Sequence, residues 1–448
     1  MNRNKLLSYP MKTTVLYLLF TIVLFVYGPI RWNVPSHTKL VAFFLVYIVS
    51  FAAGYCFQMY RKKLADNGIM EELSNPGHPS FGLLGGTDVR CITFVFTMSC
   101  VYSILKHAVL MIHMFGSINF SALLNMNLAT AYFDRISSNV QGTWYVQLIN
   151  FTSVLDAFWY ILGILYFKKL KLSYKFLFFV TLLFNGIYNA MGGTMISWGV
   201  FVFKLIPLFF VAFYKSKNAK SLKVKRKSRA ITILVIIVCL MFVFLFSSVQ
   251  ESRSEYMGKK LEYDVGALGR FIEEERDVPV VGSALKAVDF YLTNGYCGMA
   301  YGLELPPKFT YGIGFSRDFA KLINQTFNFD VSEITYPQRI EDAYGWLNGR
   351  HWPSAFTWFA SDWTFYGIPV LMFLFGVFLC NVWYCALYEN SIVAVALSSW
   401  LWVGIIFIPA NNQLFQSLSS FMITVCLMLL YMFRKILPRI VFSAEKNE

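Results

Sequence analysis

Charge is what this sequence has least of. Only 14% of its 448 residues are Asp, Glu, Lys or Arg, where a soluble globular chain carries about 25%. An ordinary soluble domain is thereby excluded. Histidine is scarce as well, at five dispersed residues. The cysteines (Cys56, Cys91, Cys100, Cys239, Cys297, Cys380, Cys385 and Cys426) contain no C-x-x-C pair. A zinc-type site therefore has no ligand set to build from, and neither metal nor cofactor is expected. No small-residue cleavage site follows the first apolar run, which reads as an anchor rather than a removable signal. The span pattern also lacks an internal repeat.

What fills the chain is apolar: 57% of the residues are hydrophobic, gathered in runs of about 17–25 residues, the length that crosses a bilayer as a helix. The expected fold is an all-α polytopic membrane protein of ten transmembrane helices. The spans are Thr13–Ile30, Leu40–Tyr60, Cys91–Met114, Trp144–Phe167, Lys175–Ala190, Thr194–Tyr214, Ala230–Phe246, Gly367–Leu387, Ile392–Pro409 and Leu414–Phe433. The net charge of +14 lies mostly in short segments between spans, which is a topogenic pattern rather than a nucleic-acid surface. Residues 215–229 carry eight positive residues and no acid, which places that segment and both termini inside. Basic juxtamembrane runs of this kind meet anionic lipid.

The domain expectation follows: 1–249 forms N-terminal spans, 250–365 one large outer loop, and 366–448 C-terminal spans with a cytoplasmic tail. Within the loop, Ala284–Leu305 is apolar enough to enter the bilayer and reads as an interfacial or re-entrant helix, since one more crossing would break the parity. Ionisable residues inside spans need a partner or a wet cavity. Asp156 and Lys204 read as a structural ion pair. The other reading gives Lys106 and His113, seven residues apart on one helix face, a cavity that holds an anionic headgroup.

The loop holds eleven of the 39 Lys and Arg residues and sixteen of the 25 Asp and Glu residues. Acids exceed bases, so nucleic-acid binding fits poorly. Its cations are mainly arginines (Arg253, Arg270, Arg276, Arg317, Arg339 and Arg350), the better fork for phosphate. A lipid diphosphate outside the membrane would need such neutralisation. A base for an attacking hydroxyl would come from His351, Asp362, Asp289 or Glu273–Glu275. Trp346, Trp352, Trp358 and Trp363 offer aromatic faces for sugar rings. Each of these residues could equally serve structure: an arginine in a loop salt bridge, His351 packed on Trp352, Asp362 capping the helix that enters the next span.

The stretch Phe290-Tyr-Leu-Thr-Asn-Gly-Tyr296, then Thr310-Tyr-Gly-Ile-Gly314, then Trp352–Trp358 running into Ala360-Ser-Asp-Trp-Thr-Phe365, resembles the Wzy-type polymerases of O-antigen and capsule repeat units. The spacing of Arg253 and Gly269 matches an Arg-x15-Gly motif described for some members. The resemblance implies a GT-C-like helical glycosyltransferase architecture in the bacterial inner membrane, with the large loop periplasmic. It implies transfer of a growing chain from undecaprenyl diphosphate to an incoming undecaprenyl-diphosphate-linked unit, without metal. Donor and acceptor lipid-linked oligosaccharides would be its partners, with membrane lipid and a chain-length regulator. On that reading Arg253, Arg270, Arg317 and Arg350 contact diphosphate, and His351 and Asp362 activate or position the acceptor hydroxyl. Substrate contacts would come from Lys106, His113, Tyr291, Asn294, Tyr311, Arg339, Trp352 and Trp363. The rival expectations are an O-antigen ligase of the same layout and a transporter of lipid-linked saccharides.

Overall fold

The computed structural model describes residues 6–72, 89–115, 143–167, 170–191, 195–217, 264–266, 279–346, 351–389 and 391–435. Its elements in chain order begin with α1 (Tyr9–Tyr27), β1 (Ile30–Arg31), α2 (His37–Glu72), α3 (Val89–Phe115), α4 (Trp144–Phe151), α5 (Trp159–Tyr166), α6 (Leu172–Met191) and α7 (Met195–Lys217). They continue with β2 (Asp264–Val265), α8 (Pro279–Gly302), α9 (Arg317–Phe327), α10 (Tyr336–Tyr344), α11 (Ala355–Tyr388), α12 (Ile392–Phe407) and α13 (Leu418–Met432).

Among the described residues four helices are long and apolar enough to cross a membrane: α1, the first part of α2, α3 and α11. A fifth candidate, a broken span or a re-entrant loop, is formed by α4, a short 3-10 segment (Ser153–Ala157) and α5, bent by 49°. The expected straight span Trp144–Phe167 is thus broken. Shorter apolar helices lie at Ser197–Val211, Ile392–Phe407 and Leu418–Met432. The expected Lys175–Ala190 lies within α6, which carries Lys175, Asn185 and Asn189. Expected span Ala230–Phe246 falls outside the described residues. The described part of the polar stretch is itself largely helical, with α8, α9, α10 and the start of α11 inside it.

Contacts divide the chain into two compact units, one of Met1–Ser80, Glu262–Tyr388 and Val403–Phe421, the other of Phe81–Leu261, Glu389–Trp402 and Met422–Glu448. In the first unit α2 packs along α11. Two glycines permit the close approach of backbones: a Cβ on Gly54 would sit 2.0 Å from the Phe373 carbonyl oxygen, and one on Gly376 2.3 Å from that of Phe51. The span beginning expected at Gly367 starts twelve residues earlier, at Ala355, but with a break at Thr364 (φ 55°, ψ 162°). Pro369 cannot donate to the Phe365 carbonyl, and the Tyr47 hydroxyl takes that place at 2.8 Å. α8 packs against α1, α2, α10 and α11, with Tyr296, Cys297, Met299 and Ala300 fully buried. The antiparallel β1–β2 pair joins Ile30 to Val265.

In the second unit α3 packs on α6 and on the bent pair. Trp159 is buried, stacked on Phe201 at 5.9 Å and tilted against Phe178 at 5.7 Å. Gly163 leaves the room that the Phe178 ring fills.

Candidate functional site

The N-terminal part of α11 gathers the segments singled out in the sequence. Ser354 donates its N–H to the Gly295 carbonyl at 2.9 Å, tying the Trp352 segment to α8. The Ser361 carbonyl accepts from both Thr310 N (3.2 Å) and Thr310 Oγ1 (2.9 Å). The Ser361 hydroxyl accepts from Tyr336 N at 3.1 Å, which fixes the start of α10.

Asp362 is buried, and its carboxylate is fully engaged. It accepts from Thr310 Oγ1 (2.5 Å), Gly312 N (2.8 Å) and Phe315 N (2.9 Å). It organises the 310–315 turn instead of meeting α11's own N–H groups as a cap. The turn needs this support because Tyr311 (φ 58°) and Gly312 (φ 76°) both adopt left-handed backbone, disfavoured for a tyrosine. Past the turn, Ser316 caps α9 by accepting from Phe319 N at 3.3 Å. Its hydroxyl also donates to the Phe415 carbonyl, and Asn412 donates to the Phe315 carbonyl at 2.7 Å.

An aromatic wall stands against α8. Trp32 donates Nε1–H to Thr293 Oγ1 at 2.8 Å and contacts Phe290 (5.7 Å) and Trp346 (6.1 Å). Tyr301 stacks on Tyr344 at 4.7 Å and touches Trp346 at 5.8 Å. Trp346 also lies 4.6 Å from the His351 ring, a packing partner that the sequence did not suggest. Phe290, Asn294, Gly298 and Tyr301 lie three or four residues apart and share one helix face. Asn294 is buried there, and its Oδ1 has no hydrogen-bond partner. Tyr291 is half-exposed and contacts Phe290. Trp352 is half-exposed, and Trp363 is exposed.

Two of the loop arginines are described together with their surroundings. Arg317 opens α9 and bonds to the neighbouring Asp318 carboxylate at 3.2 Å. Arg339, on α10, lies 5.3 Å from the Tyr336 ring centre. It forms no ion pair among the described residues, and its Nη1 is buried without a hydrogen-bond partner. Arg253, Arg270 and Arg350 lie outside the described residues, as does Glu273–Glu275.

Asp289 is wholly buried on α8 and accepts from Ile30 N at 2.8 Å. Burial raises its carboxyl from 3.8 to about 6, against the pull of its hydrogen bonds from Ile30 and Thr293. It serves the junction between α1 and α8, since Gly28 leaves the space its Oδ2 occupies.

In the second unit the expected Asp156–Lys204 pair is replaced. Asp156 takes Lys106 at 2.9 Å and also accepts from Trp159 Nε1 at 3.2 Å. The 3-10 segment turns the carboxylate toward α3, whereas Lys204 lies 4.6 Å from the Trp400 ring centre and 5.7 Å from that of Tyr160. A small cavity here is lined by Asp156, Tyr160, Lys204 and Trp400. His113 is hydrogen-bonded to the Tyr145 hydroxyl. The headgroup cavity expected from Lys106 and His113 is therefore not what their contacts show: each is engaged by a side chain of this chain.

Sequence reasoning missed Trp32, Tyr301 and Tyr344, because only long-range packing brings them to Trp346. The aromatic content was visible; the pairing was not.

No family model, no curated protein and no solved structure matches this chain. The fold itself defines the class: a mostly helical protein whose described residues include four or five apolar helices of membrane-spanning length, which suggests a membrane protein.

Proposed function

We propose that this chain polymerises undecaprenyl-diphosphate-linked oligosaccharide repeat units into O-antigen or capsular polysaccharide at the outer face of the bacterial inner membrane. What carries the reading is the meeting of three separate segments. Phe290–Tyr296, Thr310–Gly314 and Trp352–Phe365, the stretches that resemble polymerases, are bonded to one another through Ser354, Ser361 and Asp362.

In the reaction, an acceptor hydroxyl attacks the anomeric carbon of the donor sugar. Its proton goes to a base, the bond to diphosphate breaks, and undecaprenyl diphosphate leaves with the electron pair. Arg339 supports this chemistry as a half-buried guanidinium without a carboxylate, suited to a phosphate oxygen. His351 is the proton acceptor in this proposal, held against Trp346. Asp362 acts by holding the turn, because its oxygens already meet three donors of this chain. The aromatic wall of Trp32, Tyr301, Tyr344 and Trp346 supplies faces of the kind that pack against sugars.

The test is the polysaccharide ladder of a deletion strain. A single-repeat band, with the ladder restored by the intact gene and not by Arg339→Ala, is the expected result. An unchanged ladder in the deletion would overturn the proposal, and complete loss of attached repeats would point to ligation or translocation.

A further inference from the structure

The turn that Asp362 holds presents aromatic rings outward. Phe309, Tyr311 and Phe329 form a contiguous cluster, with ring centres 5.5 Å and 5.7 Å apart. They are 59%, 64% and 42% exposed, and Phe327, two residues before Phe329 in the chain, is 70% exposed. Aromatic surface of this size on a rigid base is not explained by packing within the chain. Its base is rigid: three hydrogen bonds to Asp362 and two to Ser361 carry the turn, and Tyr311 keeps a left-handed backbone at its tip.

The location names the occupant. The turn is bonded to Asp362, and Tyr366, four residues further along α11, is 76% exposed and packs on Phe43 at 5.4 Å. Phe43 lies in the first turns of the α2 span candidate. The break at Thr364 lies between Asp362 and Tyr366, so only the reach of the chain bounds their separation, at about 14 Å for four residues, against a headgroup layer about 5–8 Å deep on each side of the hydrocarbon core. The turn is therefore tied to α11 just before the stretch that packs on the α2 span candidate. Trp363, directly after Asp362, and Tyr366 are exposed aromatics of α11, followed by Val370 and Leu374, exposed apolar residues of the span itself. Lys308, next to Phe309 in the chain, and Lys321, on α9, are exposed. Aromatic rings with flanking lysines are the composition of a membrane interface.

We propose that Phe309, Tyr311, Phe327 and Phe329 form a lipid-docking surface that rests in the headgroup region of the leaflet at this end of the spans. The surface seats the polar segment on the bilayer, next to the plane in which any lipid-borne ligand would arrive. The inference stands on the membrane class alone and does not depend on the polymerase reading.

The test places the photoreactive residue p-benzoylphenylalanine at position 311 or 329 in the full-length protein in native membranes. Position 374, on the exposed face of the span, is the lipid-facing reference, and Asp342, exposed on α10, is the aqueous one. After irradiation, adducts are identified by mass spectrometry. Phospholipid adducts at 311 and 329 that approach the yield at 374, and exceed that at 342 several-fold, are the expected result. Yields at 311 and 329 no higher than at 342 would overturn the proposal. Adducts at 311 and 329 only to protein would overturn it as well, because the surface would then be covered by a polypeptide. Adducts at 374 confirm insertion for that variant, and insertion of the 311 and 329 variants is read from their elution profile in detergent.

Discussion

Replacing Asp362 with asparagine alters one atom of the side chain and leaves its volume unchanged. Oδ1 accepts from Thr310 Oγ1 and Gly312 N, and Oδ2 from Phe315 N. An amide can keep an oxygen on only one side, so its NH2 must face a donor on the other. With the nitrogen toward Phe315, one charge-assisted bond is lost and a buried N–H is left facing another donor. The loss is about 2–4 kcal/mol, from the usual worth of a hydrogen bond to a charged group and the cost of an unmet one. Because the bonds are confined to the turn, the penalty falls on local opening rather than on the spans. Amide exchange at Gly312 and Phe315 should accelerate roughly 30- to 1,000-fold at a tenfold change per 1.4 kcal/mol. Hydrogen exchange with mass spectrometry of peptides covering 309–316, in detergent, reads this directly. Exchange within about threefold of the parent protein would refute the reasoning, since it bounds the loss below about 1 kcal/mol. Loss of polymer ladder with unchanged exchange would show instead that the carboxylate acts on substrate.

Four further outcomes follow. Asp156→Asn should cost about 3–5 kcal/mol by leaving Lys106 buried without its partner, and adding Lys106→Met should recover most of it; thermal unfolding in detergent compares the two. Asp289 has a folded pKa raised to about 6, so its contribution to stability is full below 3.8 and is lost as pH rises through about 6. The total is about 3 kcal/mol, at 1.36 kcal/mol per unit. Asp289→Asn should flatten that part of the stability profile, and an unchanged slope would refute the burial argument. Gly312→Ala should cost about 1–2 kcal/mol through backbone strain alone, because nothing stands within 4 Å of the new methyl group. Gly376→Ala meets the Phe51 carbonyl and should cost about 1–3 kcal/mol by separating α2 from α11, read as a lower melting temperature.

Where the sequence was legible, the signal was local. Apolar runs declared α1, α2, α3 and α11 as spans, since hydropathy over about twenty residues reflects the solvent those residues prefer. The break at Thr364 and the bend before α5 were not legible, because each depends on bonds supplied from elsewhere: Tyr47 to the Phe365 carbonyl, and Lys106 to Asp156. Asp156 shows the limit well. The sequence announced that a charge so placed needs a partner, but two lysines qualified, and only the direction of a 3-10 turn chose between them.

At the candidate site the same division holds. Residue types named a chemistry: arginines for phosphate, tryptophans for sugar faces, a histidine and an aspartate for proton transfer. Their roles depended on contacts between residues tens to hundreds of positions apart. Asp362 became the anchor of a turn, Arg339 stood without a carboxylate among the described residues, and Trp32 joined Trp346 across more than three hundred residues. By itself, the sequence determined that this chain enters a membrane as helices, because burial of apolar surface is set by composition along each segment. Only the tertiary structure decided which polar groups are spent on the fold and which remain for a ligand, because hydrogen bonds and ion pairs are satisfied by whichever partner the packing brings within about 3 Å.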